Sequence, residues 1–198
     1  LWVWILSFWM LAVKQSQKHY ARANISDVIL VMTIIMALML LFIILTSNPF
    51  LRYLPLSPME GVELNPLLQD PGLILHPPML YMGYVGFIVT FAFSVVGLWH
   101  GRIDKKWAAL MQPWCLLAWS FLTIGIVLGS WWAYRELGWG GWWYWDPVEN
   151  ASLMPWLTGT ALIHSLQVTT RYERCRAWTS LMSILTFTLS LLGTFLVR

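Results

Sequence analysis

Long apolar runs alternate with short polar connections along the whole chain. Stretches without any Asp, Glu, Lys or Arg occur at 28–45, 79–99, 114–133, 151–168 and 177–197, and each could cross a hydrocarbon layer of about 30 Å as a helix. A further run at 1–13 would rise only about 20 Å as a helix, which predicts a partial span. The pattern predicts an all-α fold, a polytopic membrane helix bundle with about six transmembrane spans.

The composition excludes a soluble globular domain. The 198 residues are 59% hydrophobic and 11% charged, against about 25% charged residues in an average soluble domain. We therefore expect a single membrane domain over residues 1–198, with membrane lipid as its surroundings and no nucleic-acid partner. Cys115 and Cys175 lie in neither a CxxC nor a CxxCH pattern, so no disulfide or covalent haem-attachment motif is predicted.

Basic residues in the connections predict the orientation. The connections after the first, third and fifth runs hold three each, namely Lys14, Lys18, Arg22, Arg102, Lys105, Lys106, Arg171, Arg174 and Arg176. The intervening connections hold one each, Arg52 and Arg135. Since short loops rich in Lys and Arg stay inside, residues 46–78 and 131–150 are expected on the outer face, in the periplasm or intermembrane space.

The first outer connection, 46–78, contains seven prolines, at 49, 55, 58, 66, 71, 77 and 78. They argue against a long helix within it, and the third span is expected to begin after Pro77 and Pro78. A short amphipathic turn is expected between 64 and 71. An irregular connection of this length between helices is usually functional.

The second outer connection, 131–150, reads WWAYRELGWGGWWYWDPVEN. Its glycines permit sharp bends between flat indole side chains, and it holds more tryptophans than an interfacial aromatic belt explains. We expect these side chains to stack on an extended planar ligand. Asp146 and Glu149 could instead pair with Arg135 or cap helix ends, and Asn150 could cap the fifth span.

Two of the four histidines are candidates for chemistry. His76 precedes Pro77 at the outer interface, where it could be an axial metal ligand or an interfacial side chain bonded to a carbonyl. His164 lies within the fifth run, about 21 Å below Asn150 if the run is helical, where an ionisable group needs a partner. That partner could be a cofactor, another chain or a backbone carbonyl. His19 and His100 lie in inner connections, and we assign them no role.

Four segments together resemble CcmF, the haem-lyase component of the system that matures c-type cytochromes. They are WGGWWYWDPVENAS at 139–152, NPLLQD at 65–70, GLILHPPMLYMGYVGF at 72–87 and MPWLTGTALIHS at 154–165. The first is similar to the tryptophan-rich WWD signature of haem-handling membrane proteins, and its DPVENAS continuation is typical of CcmF. Relatives that export haem carry the WWD core with other flanks.

The resemblance implies a component of a cytochrome c haem lyase that binds haem at the outer face and helps to join it to CxxCH apocytochrome c. It implies that His76 binds the iron of the substrate haem and that His164 is one axial ligand of a resident haem b, with a histidine from another chain as the second. The other haem-binding residues it implies are Trp139, Trp142, Trp143, Trp145 and Asp146. No residue is assigned as catalytic.

The resemblance also implies partners: other CcmF-like chains that complete the lyase, a haem chaperone, and apocytochrome c with the subunits that hold and reduce its thiols. We expect a middle piece of CcmF, inactive as an isolated chain, of the kind split into separate polypeptides in plant mitochondria. The mitochondrial inner membrane is therefore favoured over the bacterial cytoplasmic membrane. Alternatives are a haem exporter or transporter subunit, and a non-catalytic scaffold that docks apocytochrome.

Overall fold

A computed structural model describes residues 1–16, 25–52, 63–137 and 141–197. Within these residues the chain forms six α-helices, one 3-10 turn and no β-strand, which confirms the all-α prediction. The helices are α1 (Trp2–Ser16), α2 (Ile25–Thr46), α3 (Pro71–Trp99), α4 (Lys105–Glu136), α5 (Pro147–Tyr172) and α6 (Arg176–Val197), and the 3-10 turn at Pro66–Gln69 lies within the expected amphipathic turn. His19 and Trp139 lie outside the described residues.

The protein is a multi-pass membrane protein. Among the described helices, α2, α3, α4 and α6 are long and apolar enough to cross a membrane. Helix α1 has 15 residues and is about 22 Å long, which agrees with the partial span predicted for it. Helix α5 has 26 residues, enough for about 39 Å, but it is more polar than the other long helices.

The faces of α6 show how the bundle is adapted to lipid. Its buried face is largely made of small hydroxyl side chains, which are Thr179, Ser180, Ser183, Thr186 and Ser190. Its exposed face carries large apolar side chains, which are Trp178, Leu181, Leu185, Leu192 and Phe195. A soluble protein shows the opposite arrangement, whereas membrane helices pack through small residues and turn apolar ones to the lipid.

Helix α3 is the centre of the bundle. It contacts α1, α2, α4 and α6, and α5 packs against α4 and α6. The crossing of α3 and α4 depends on glycines. A Cβ atom added at Gly83 would lie 2.5 Å from the Cβ of Leu122, and one at Gly125 would lie 2.6 Å from the backbone nitrogen of Leu80. The two backbones can approach this closely only because both positions lack a side chain.

The start of α3 corrects the expected boundary of the first outer connection. Helix α3 begins at Pro71, so residues 71–78 are helical and His76 lies inside the helix. The reason is a strong helix start: the Asp70 carboxylate accepts a hydrogen bond from the Gly72 N–H at 2.7 Å, and Pro71 follows it at the first helical position. Pro77 and Pro78 remove two N–H donors, but the helix continues through them.

The second outer connection is also shorter than expected. Helix α4 continues to Glu136 and α5 begins at Pro147, so only 137–146 of the expected 131–150 lies between them. The cap of α5 is Asp146, whose carboxylate accepts from the Glu149 N–H at 2.7 Å. Asn150 is therefore not the cap. It lies in the first turn, and its side-chain amide donates to the Trp145 carbonyl at 3.0 Å.

Candidate functional site

A cavity of about 470 Å³ lies at the end of the bundle where α3 and α5 begin and α4 ends. This is the end that the basic residues place outside, and we call it the outer end. The cavity is lined mainly by apolar side chains, and it has a size typical of small-molecule sites. Its lining includes Leu73, His76, Gly129, Trp143, Asp146 and Ser152.

The imidazole of His76 is held in one orientation by α4. Its Nδ1 atom lies 2.6 Å from the carbonyl oxygen of Gly125. Because a carbonyl oxygen only accepts hydrogen bonds, Nδ1 carries the proton and Nε2 carries the lone pair. Histidine ligands of metals commonly donate their second N–H to such a partner. The carbonyl bond and the ligand role, which sequence analysis treated as alternatives, are therefore compatible.

The imidazole lies directly against Gly129 of α4. A Cβ atom at that position would be 2.5 Å from Cε1 and 2.7 Å from Nδ1 of His76, far inside van der Waals contact. Gly125 and Gly129 are one helical turn apart, so the first supplies the acceptor and the second supplies the space for the ring. Both contacts depend on the α3–α4 crossing.

The tryptophan segment, residues 141–146, contributes one of its indoles to the cavity. Trp143 lines the cavity, and its Nε1 atom is buried without a hydrogen-bond partner among the described residues. Trp142 is 51% exposed and stacks on Tyr134 with ring centroids 5.3 Å apart. Trp145 is 69% exposed and meets Trp143 edge to face at 6.0 Å. The indoles therefore form two surfaces, one inside the cavity and one facing out.

The polar residues that follow the tryptophans hold the segment in shape. The Glu149 carboxylate accepts from the Tyr144 N–H at 2.6 Å, while Asp146 caps α5. Trp145 has a φ of 58°, in the left-handed region that is uncommon for bulky residues. These bonds keep the chain in that conformation and orient Trp143 toward the cavity. The expectation that Asp146 or Glu149 could cap a helix is thereby confirmed for Asp146.

Arg135 joins the end of α4 to the start of α3. Its Nη2 atom lies 3.6 Å from Oδ2 of Asp70, whose side chain is only 7% exposed. The same atom lies 3.9 Å from Oε1 of Glu136, and Cζ of Arg135 lies 4.8 Å from the centroid of the Trp131 ring. Sequence analysis considered Asp146 or Glu149 as its partner, but the structure pairs Arg135 with Asp70. One carboxylate thus caps α3 and anchors α4 beside the cavity.

A reciprocal pair of hydrogen bonds fixes α5 against α4. The Trp119 indole donates to the Thr160 hydroxyl at 2.9 Å, and the Trp156 indole donates to the Thr123 hydroxyl at 2.9 Å. The two indoles stack with centroids 5.6 Å apart at 27°. The sequence analysis missed this contact, although each helix carries its Trp and Thr with the same four-residue spacing. The contact sets where α5 begins relative to the cavity.

His164 belongs to a different place in the bundle. It follows Pro147 by 17 residues on α5, so it lies about 25 Å along the helix from the outer end. Its side chain is on an exposed face together with Leu157 and Ala161, and it makes no hydrogen bond within the part of the chain that the structure describes. His76 and His164 therefore lie in two separate places in the bundle.

The other candidate ligands form no metal cluster within the described ranges. His100 pairs with Asp27 at 2.8 Å, where α2 begins and α3 ends, at the end of the bundle opposite to His76. Cys115 is buried and Cys175 is exposed, and both are free thiols. The thiols form no disulfide with each other, and His100 is tied to the start of α2 by its pairing with Asp27.

The fold and the site together define a multi-pass membrane protein whose outer end presents an oriented imidazole beside a tryptophan-lined cavity. The family model for the cytochrome c assembly protein matches residues 1–198, and the chain belongs to that family.

Within this family, the chain is similar over its whole length to proteins named CcmF. The chain is 61% identical over its whole length to the cytochrome c-type biogenesis protein CcmF of Pseudomonas aeruginosa and 59% identical to CcmF of Escherichia coli K12. A solved structure of the cytochrome c haem lyase CcmF matches the whole chain with a TM-score of 0.77 at 32% identity. The chain spans only 30% and 31% of the two bacterial relatives and 31% of the solved chain.

Proposed function

We propose that this chain is part of a cytochrome c haem lyase, in which it binds the substrate haem at the outer end and presents it to a CxxCH apocytochrome c. The observation that carries this proposal is the His76 imidazole, whose Nδ1 is committed to the Gly125 carbonyl and whose ring lines a cavity walled by Trp143. The name of the structurally similar CcmF, a haem lyase, supports the same reaction.

In this proposal His76 binds the haem iron through Nε2, because Nδ1 is already used. Trp143 covers a face of the macrocycle inside the cavity, and its unpartnered indole N–H is available to a polar edge of the ligand. Trp142 and Trp145 offer exposed aromatic faces on the outer surface. We propose Trp139, in the same connection, as the fourth haem-binding tryptophan. Asp146 contributes by holding the segment in place. Positioning and exclusion of water are what such a site supplies.

The bond-forming step is an addition that needs no oxidant. Each apocytochrome thiol adds across one haem vinyl group, so that a sulfur–carbon bond forms, the carbon–carbon double bond becomes single, and the thiol hydrogen ends on the neighbouring carbon. The residues of this chain hold the macrocycle so that its vinyl edge reaches the two thiols. We therefore assign them roles in binding and orientation, and we assign none of them a covalent role.

A resident haem b fits the surroundings of His164. The imidazole lies on an uncovered face of α5 beside Ala161, and a small neighbour leaves room for a flat ligand. In this proposal His164 would supply one ligand to the iron of that haem, and the second ligand would come from another chain. A haem bound there would supply electrons that keep the substrate iron reduced.

The proposed partners are the remaining CcmF-like segments, a haem chaperone, and apocytochrome c with the subunits that hold its thiols. In this proposal the chain works together with those partners and is not active alone. The CcmF relatives from Pseudomonas aeruginosa and Escherichia coli are bacterial, and this supports a bacterial cytoplasmic membrane over the mitochondrial inner membrane favoured by the sequence analysis.

Replacement of His76 in the full-length protein tests the function. A bacterium that depends on this protein for cytochrome c should lose covalent haem staining of its c-type cytochromes with His76→Ala. His100→Ala is the matched control, because His100 lies at the opposite end of α3 and pairs with Asp27. Normal haem staining with His76→Ala, at normal protein levels, would refute the proposal.

A further inference from the structure

We infer that Gly129 is a positioning residue for the haem-binding imidazole: its missing side chain allows His76 to lie flat against α4, donate Nδ1–H to Gly125 and leave Nε2 for iron. The inference rests on the proposed function, since it concerns how the same site is prepared for haem. It assigns Gly129 a positioning role, because the residue would act on haem binding through the imidazole of His76.

The distances leave no room for any side chain at this position. A Cβ atom on Gly129 would lie 2.5 Å from Cε1, 2.7 Å from Nδ1 and 3.2 Å from Nε2 of His76. All three ring atoms face the same point on α4, so a methyl group there would occupy the space of the ring. Since the imidazole ends a side chain with two rotatable bonds, it would swing away while the helix backbones stay in place.

The swing would break the contact that sets the protonation of the ring. The Nδ1–H bond to Gly125 measures 2.6 Å, and a ring displaced by a methyl group cannot keep that distance. Without it, nothing in the described surroundings selects the tautomer that leaves Nε2 unprotonated. Loss of such an outer partner of a histidine ligand typically lowers metal affinity by about 10- to 100-fold.

Gly125 has a different role, although it lies one turn away on the same helix. A Cβ atom on Gly125 would meet the backbone of Leu80, at 2.6 Å from its nitrogen and 2.7 Å from its Cα. Backbone atoms cannot swing aside, so substitution there would separate α3 from α4. Gly125→Ala thus tests helix packing, whereas Gly129→Ala tests ring position.

Gly97 supplies the matched control at the opposite end of the same helix pair. A Cβ atom there would lie 2.5 Å from the Trp107 indole nitrogen, which donates to the Phe93 carbonyl at 3.0 Å. Gly97→Ala therefore imposes the same kind of clash on another ring that is bonded to a backbone carbonyl. Gly97 follows His76 by 21 residues on α3, about 30 Å along the helix, so its clash is remote from the imidazole.

The experiment compares full-length wild-type protein, Gly129→Ala and Gly97→Ala, each purified as folded protein by size exclusion. Titration with ferric haem should give an affinity about 10- to 100-fold weaker for Gly129→Ala, with a changed Soret spectrum, and no such change for Gly97→Ala. In haem-free protein labelled with ¹⁵N-histidine, the His76 signals should show a protonated Nδ1 in wild type and lose that pattern in Gly129→Ala.

Each outcome separates this inference from the proposed function. Wild-type affinity, spectrum and His76 tautomer in Gly129→Ala would overturn the inference and leave the haem site intact. An equal loss of haem affinity in Gly97→Ala would also overturn it, because the effect would then be general packing. If wild-type protein binds haem no better than His76→Ala, the proposed function itself fails.

Discussion

The Nδ1 atom of His76 lies 2.6 Å from the carbonyl oxygen of Gly125, which is 49 residues away in the sequence. This contact joins the second turn of α3 to the C-terminal half of α4, beside the cavity that His76 and Trp143 line. It exists because glycines let the two helices cross almost in backbone contact. The same small residues that pack the bundle therefore also prepare its proposed metal ligand.

The indoles of the tryptophan segment should contribute unequally to haem binding. Trp143 lines the cavity, whereas Trp142 is 51% exposed and outside its lining. Trp143→Leu should therefore weaken haem binding more than Trp142→Leu, by about tenfold if one stacking contact of roughly 1.4 kcal/mol is lost. Haem titration of the two purified variants measures the difference. Equal losses would show that the cavity wall has no special role.

Haem binding should tolerate the replacement of Asp146 by asparagine but not by alanine. Its carboxylate accepts the Glu149 N–H at 2.7 Å as the cap of α5, and Asn caps a helix as well as Asp does. Asp146→Asn should keep near-wild-type haem binding, while Asp146→Ala should lose about 1 kcal/mol of stability and misplace Trp143. If Asp146→Asn loses haem binding as fully as Asp146→Ala, the carboxylate charge acts on the ligand directly.

The contact between α4 and α5 should depend on the Thr160 hydroxyl. Thr160→Val keeps the shape but leaves the Trp119 indole, now 2.9 Å from that hydroxyl, without an acceptor. The expected loss is about 1 kcal/mol, since a buried donor left unpaired costs about 1–3 kcal/mol in water-soluble proteins and less in membranes. Thermal unfolding followed by tryptophan fluorescence measures it. Thr160→Ser is the control, and it should unfold close to wild type; a loss equal to that of Thr160→Val would argue against the hydroxyl.

Asp70 should stabilise the fold through two separable contacts. Asp70→Ala removes both the bond to the Gly72 N–H at 2.7 Å and the pairing with Arg135 at 3.6 Å, whereas Asp70→Asn keeps the cap. We expect Asp70→Ala to destabilise by about 1–2 kcal/mol and Asp70→Asn by less than about 1 kcal/mol, because Arg135 is half exposed. The same unfolding assay measures both variants. A larger loss for Asp70→Asn would mean that the charge pair dominates.

The helices could be predicted from sequence because lipid imposes apolar runs of a fixed length. The apolar runs predict starts at 79 and 151, whereas α3 begins at Pro71 and α5 begins at Pro147. Both helices begin with the same pair, Asp70–Pro71 and Asp146–Pro147, in which an aspartate cap precedes a proline at the first position. An Asp–Pro pair can mark a helix start in a sequence. At Pro71, however, the many prolines between 46 and 78 favour the prediction of an irregular connection.

Part of the site could also be predicted. The charge pattern predicts that His76 and the tryptophan segment lie at the same end of the bundle, and the structure brings His76 and Trp143 to one cavity. The opposite orientations of Trp142 and Trp143 could not be predicted, since they depend on the left-handed turn at Trp145. The bond from His76 to Gly125 could not be predicted either, because it depends on how two distant helices cross.

The most direct test of the central claim is haem titration of the purified full-length protein with either histidine replaced. His76 and His164 lie in separate places, so their losses should be distinct. His76→Ala should abolish the binding of added haem at the outer end while the b-type spectrum of resident haem remains, and His164→Ala should remove that b-type spectrum. If His76→Ala binds added haem with wild-type affinity and spectrum, His76 is not the ligand and the account is contradicted.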